Sequence, residues 1–158
     1  MEPLFSEWLT LVAGFTHPLP RGAAVSPRQL AELPLASFTG MFVSRRYIDD
    51  YCSLHGIEPR IALEANSISA VLKIIRRGEL AAILPSAMQN EHRDLRYISL
   101  DPPFPIRAVA LLRRQGAYRT AASIAFCTLL KDMLQDGELS SLETFASECN
   151  SQRDVGGQ

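Results

Sequence analysis

Residues Pro59 to Pro85 read PRIALEANSISAVLKIIRRGELAAILP. Ile61, Leu63 and Ala65 alternate with smaller or polar residues, the period of a strand. Ile68, Val71, Leu72 and Ile75 follow at i, i+3, i+4 and i+7, one apolar helical face. Arg76 and Arg77 suit the negative end of that helix's dipole, and Gly78 closes it. Leu80 to Pro85 is a nearly continuous apolar run, as in a parallel strand covered on both faces. The stretch is a strand–helix–strand unit with Asn66 and Ser67 at the first join. In open α/β sheets, ligands bind beyond the carboxyl ends of strands, where free N–H groups at helix N-termini favour an anion. An N-cap, worth about 1 kcal/mol, suits the same residues. Spacing favours the cap and leaves the ligand contact open.

The flanks repeat the alternation. Trp8 to Phe15 reads as a strand, ended by His17-Pro18-Leu19-Pro20. Ser26-Pro27 opens a short helix to about Glu32, with Ser26 as cap. Pro34 to Phe38 is a second strand, and Thr39-Gly40 turns the chain. A helix over Phe42–His55 would bury Val43, Tyr47, Ile48, Tyr51 and Leu54, with Gly56 as its stop. After Pro85 come a turn at Ser86–Asn90, a strand at Leu95–Leu100 and a proline-rich break at Asp101–Pro105. A strand at Ile106–Arg113 and a helix at Tyr118–Leu134 follow, the helix with Ala122, Ala125, Leu129 and Met133 as its buried stripe. Such β–α alternation is the mark of a doubly wound α/β sheet.

At 158 residues, 47% hydrophobic and 21% charged, the chain can bury a core. A net charge of -1 argues against a surface built for nucleic acid. No apolar run reaches the ~18 residues of a membrane span, and the first residues do not read as a signal peptide. Cys52, Cys127 and Cys149 lie far apart and read as reduced thiols, which fits a cytoplasmic protein. His17, His55 and His92 lack ligand spacing, so no metal site is expected. Neither a phosphate-binding glycine loop nor a GxSxG elbow occurs. Asp49 and Asp50 beside Arg45 and Arg46 suit i,i+4 ion pairs better than acid–base work. Nothing here makes a case for an enzyme.

Five runs together resemble the effector-binding domain of LysR-type transcriptional regulators. They are Phe42-Val43-Ser44-Arg45-Arg46 with Ile48-Asp49; Glu64 to Leu72 (EANSISAVL); Ile75-Arg76-Arg77; Leu84-Pro85-Ser86-Ala87; and Ala110-Leu111-Leu112-Arg113-Arg114. The pattern covers Pro3 to Met133 and looks most like the regulators of cyanate operons. The resemblance implies an α/β fold of Rossmann-like lobes, similar to periplasmic binding proteins, with one complete lobe and a partial second lobe. In that scheme residues 1–32 and 103–135 are the remainder of lobe I, residues 33–102 are lobe II, and residues 136–158 are a polar tail expected to be disordered. The implied effector contacts are Thr39, Gly40 and Phe42 at one strand-to-helix join, and Asn66 and Ser67 at the next. This favours Asn66 as a ligand contact over a cap. The effector would be a small anion, cyanate first, held between lobes without a cofactor.

Self-association is also implied. DNA contact would run only through an N-terminal helix-turn-helix domain, which this sequence lacks, so on this reading it is N-terminally truncated. The strands Trp8–Phe15 and Ile106–Arg113 would then be exposed and open to pairing. A solute-binding module of the periplasmic type, or a truncated remnant that binds nothing, are the alternatives.

Overall fold

The structure, a computed structural model, describes residues 2–19, 21–114, 116, 118 and 120–137. The chain divides into two compact units: Trp8–Pro105, and the described residues of Met1–Glu7 with Ile106–Gln158.

The larger unit is a mixed five-stranded sheet. Its elements are β2 (Leu9–Gly14), α1 (Pro27–Glu32), β3 (Leu35–Phe38), α2 (Val43–Leu54), β4 (Ile61–Ala65), α3 (Ile68–Ile75), β5 (Ala81–Pro85), a 3-10 turn at Ser86–Gln89, and β6 (Leu95–Ile98). They follow β1 (Glu2–Glu7) of the smaller unit. The strand order is β4-β3-β5-β2-β6. β3 runs parallel to β4 and β5, while β2 is antiparallel to both β5 and β6.

Alternation decides which side chain goes to which face. Leu11, Leu35 and Ile83 pack with Leu30 of α1 and with Ile48 and Cys52 of α2. Val12, Ala36, Phe38, Ala82 and Leu84 pack with Val71, Leu72 and Ile75 of α3. With both faces covered, β2 is buried along its whole length. The expectation that Trp8–Phe15 is an exposed strand of lobe I is therefore corrected. Leu9–Gly14 sits between two strands, and residues 8–32 belong with the five-stranded unit.

Local chemistry sets the helix ends. Ser26 and Gln29 form a reciprocal capping box on α1, with Pro27 in its first turn. α2 buries Ile48, Tyr51 and Cys52, whereas Val43, Tyr47 and Leu54 are exposed, contrary to the expected stripe. Tyr51 decides this rotation: its hydroxyl donates to Pro102 O at 2.5 Å, and its ring stacks on Phe104 at 4.0 Å. Burial pushes the Cys52 thiol up to about 11, so it packs as an unreactive small hydrophobe.

The smaller unit pairs β1 with β7 (Arg107–Leu111) and adds α4 (Ala121–Gly137). Pro3 interrupts the apolar pattern of β1 and hid it in the sequence. α4 turns Cys127, Leu130, Lys131 and Leu134 partly inward, while the expected stripe of Ala122, Ala125, Leu129 and Met133 is exposed. Cys149 and the tail from residue 138 lie outside the described residues.

Two features of the larger unit yield predictions. A Cβ on Gly14 would lie 2.6 Å from Ile75 O and 3.1 Å from Arg76 O, so glycine lets the end of α3 rest on β2. Gly14→Ala should destabilise the chain by ~2 kcal/mol, seen as a lower urea midpoint at unchanged slope. His17 is buried, and its Nδ1 accepts the Leu19 N–H at 3.3 Å. Arg96 donates to the carbonyls of His17 and Leu19. Burial, and then the Arg96 charge, hold His17 below its ordinary value of 6.5. The unfolded chain thus takes up this proton first. The stabilising contribution is complete above 6.5 and is lost as pH falls through 6.5 towards the folded value. His17→Asn keeps an acceptor for the Leu19 N–H and should remove that part of the pH slope in denaturant titrations.

Candidate functional site

The sheet places three strand-to-helix joins along one edge. β3, β4 and β5 are parallel, so their carboxyl ends point the same way, and antiparallel β2 begins at that edge beside Pro85. In strand order the edge carries Asn66, Thr39, Ser86 and Trp8.

The first two joins are neighbours. Thr39 N–H donates to Ala65 O at 3.2 Å, tying the end of β3 to the end of β4. Phe42 N–H donates back to Thr39 O at 3.1 Å and closes the turn into α2. Phe42 holds the N-cap position with no side-chain cap, and its ring stacks on Phe38 at 4.8 Å. The first turn of α2 therefore lacks a side-chain acceptor at its cap, the condition under which helix amides can take an external anion. Gly40 is exposed and its φ is not positive, and a Cβ at this position would meet nothing within 4 Å.

The second join separates two roles that the sequence left together. Ser67 is the N-cap of α3, and its Oγ accepts the Ala70 N–H at 3.3 Å. Asn66, one residue earlier, is exposed, and its amide makes no hydrogen bond to a described residue. The third join is closed. Ser86 is buried, its N–H donates to Trp8 O at 2.8 Å, and its Oγ accepts the Trp8 N–H at 3.3 Å. The place of Trp8 on this edge follows from the antiparallel entry of β2, which no local pattern signals.

Arg45 braces the first join. Its guanidinium donates to Phe38 O at 2.9 Å, to Glu64 Oε1 at 2.6 Å and to Asp49 Oδ1 at 2.8 Å. The hydrogen bonds to Asp49 and then Glu64 raise its pKa further. The charge of Arg45 is thus met by two carboxylates, and anion binding here would rest on backbone dipoles and amide donors. Among the described residues, no group of three or more His, Cys, Asp or Glu side chains could hold a metal. No described helix is long and apolar enough to cross a membrane.

A two-faced α/β sheet with adjacent joins at its carboxyl edge is the architecture of effector-binding domains of periplasmic-binding-protein type. The chain belongs to the LysR substrate binding domain family, whose model matches residues 1–135. The HTH-type transcriptional regulator CysB of Burkholderia cenocepacia is 28% identical over 134 residues, which are 84% of this chain and 43% of CysB. The chain thus spans less than half the length of this curated relative. Among solved structures, the effector binding domain of QuiR in complex with shikimate matches with a TM-score of 0.69 at 21% identity, over 87% of this chain and 66% of that one. The Synechocystis PCC6803 CcmR regulatory domain in complex with 2-PG matches with a TM-score of 0.74 at 16% identity, over 86% and 67% of the two chains. CysB is named as a transcriptional regulator, and the CcmR structure as a regulatory domain.

Because Ser67 caps α3 and Asn66 does not, the two should respond differently to truncation. Ser67→Ala should lower stability by about 1 kcal/mol in denaturant titrations, with Asn66→Ala nearly neutral.

Proposed function

We propose that this chain senses a small anion through Thr39, Gly40, Phe42, Asn66 and Ser67, with cyanate as the anion. The supporting observation is the adjacency of the two joins, tied by the Thr39–Ala65 hydrogen bond and lacking a side-chain cap on α2. In this reading the first-turn amides of α2 and the Ser67 backbone N–H face the anion, Asn66 supplies the side-chain donor, and Phe42 bounds the space on its apolar side. A compact anion suits a site whose nearest braced cation, Arg45, is already paired.

Within a longer regulator, the five-stranded unit would act as lobe II and the smaller unit as part of lobe I. DNA would be contacted by a separate domain in the cytoplasm. The anion would act by shifting the population of self-associated states, which requires that it bind one state more tightly than the other. No chemistry on the anion is involved.

Isothermal titration with cyanate tests the reading, with chloride, bicarbonate, shikimate and 2-PG as comparison ligands. Saturable binding selective for cyanate is expected, and Asn66→Ala should weaken it by about tenfold, the scale of one hydrogen bond to a charged group. The melting temperature of that variant should stay close to the parent's. Equal binding by Asn66→Ala would remove Asn66 from the site, and saturation by another ligand in place of cyanate would overturn the effector assignment.

A further inference from the structure

Arg45 stands in the first turn of α2, which carries no acidic residue and no side-chain cap. A cation there lies at the positive end of the helix dipole, the end that favours negative charge. Two carboxylates offset this. Asp49, one turn along the same helix, accepts from Nε at 2.8 Å, and Glu64 of β4 accepts from Nη1 at 2.6 Å. Asp49 is the i,i+4 partner that a helix supplies locally. Glu64 reaches Arg45 from a different element, and its own strand runs on through Ala65 to Asn66.

Glu64 is held where the two joins meet. The Arg45 Nη1 that donates to Glu64 also donates to Phe38 O at 2.9 Å. That carbonyl belongs to the Phe38–Thr39 peptide, whose N–H donates to Ala65 O at 3.2 Å. The register sets Glu64 opposite Ser37, and Ala65 opposite Phe38. The Glu64 carboxylate is thus fastened beside the peptide that leads into the first join, while its own chain leads into the second. The Arg45 side chain is 17% exposed and that of Glu64 48%, so an arriving solute meets the acid more readily than the base. One cation between two carboxylates leaves a net negative charge beside the first turn of α2.

We propose that Glu64 sets the charge selectivity of the anion site, tuning it to a ligand with a single negative charge. The inference rests on the anion-sensing reading above, and it concerns a residue that acts on the ligand through its charge without touching it. The energy between two charges is proportional to their product, so the Glu64 carboxylate opposes a dianion twice as strongly as a monoanion at the same place. A role confined to bracing Arg45 would alter the join and act on both ligands alike.

Isothermal titration with cyanate, a monoanion, and oxalate, a compact dianion, separates the two roles in the parent chain and in Glu64→Gln. Glutamine keeps an oxygen for the Arg45 N–H and removes the charge. Each anion is compared with itself across the two proteins, so differences in size cancel. In low salt, Glu64→Gln should bind cyanate about threefold and oxalate about tenfold more tightly than the parent does, because the energy gained doubles with the charge of the ligand. Both gains should shrink as salt is raised. Glu64→Asp keeps the charge and should show neither gain. Equal gains for the two anions, or no gain for oxalate, would overturn the role of Glu64 and leave the anion site standing. Binding of neither anion by the parent or by Glu64→Gln would overturn the anion site itself, and the selectivity with it.

Discussion

The antiparallel pairing of β2 with β5, from Leu9 opposite Pro85 to Ala13 opposite Ala81, is the contact on which the larger unit depends. It brings a segment near the start of the chain into the interior of a sheet whose remaining strands come from residues 35–98. Because β2 also pairs with β6, its backbone groups have partners on both sides, as burial demands. Its side chains alternate between the two cores: Leu11 and Ala13 enter one, Val12 the other. A one-residue slip would exchange these sets, so packing as well as hydrogen bonding fixes the register. Gly14 ends the strand where α3 comes closest, and the absence of a side chain there is a packing requirement.

The joins inherit their arrangement from this sheet. Parallel β3 and β4 bring Thr39 and Asn66 side by side, and the antiparallel start of β2 seals the third join at Ser86. Two joins are left available and one is closed. Arg45 holds the first from below by taking the Phe38 carbonyl, and its charge is shared by Asp49 and Glu64. In the proposed site an anion would meet oriented N–H dipoles, while the Arg45 guanidinium is already engaged by two carboxylates.

The two units are built on different principles. Trp8–Pro105 has cores on both faces of a sheet. In the smaller unit, the interactions that hold the described residues are a β ladder and ion pairs, including Glu2 with Lys131 and Arg113, and Glu7 with Arg107. The Glu7–Arg107 pair is largely shielded from solvent, whereas the two Glu2 pairs have exposed partners and contribute little to stability, because solvent screens them and ordering long side chains costs entropy.

Periodicity alone determined most of the larger unit. The strand at Ile61–Ala65, the α3 face of Val71, Leu72 and Ile75, the buried run before Pro85 and the Ser26 capping box are all local signals, and local sterics and burial produce them. The ordered runs from Phe42 to Arg114 carried the family. Tertiary structure decided the rest. The rotation of α2 depended on Pro102 and Phe104, some fifty residues from Tyr51 in sequence. Pro3 masked β1, whose partner β7 lies about a hundred residues away. At the second join, sequence placed two polar residues at a helix start, and only the geometry gave the cap to Ser67 and left the Asn66 amide outward. A cap is a matter of which oxygen reaches which N–H, and adjacent residues with similar propensities are told apart only by where the backbone points them.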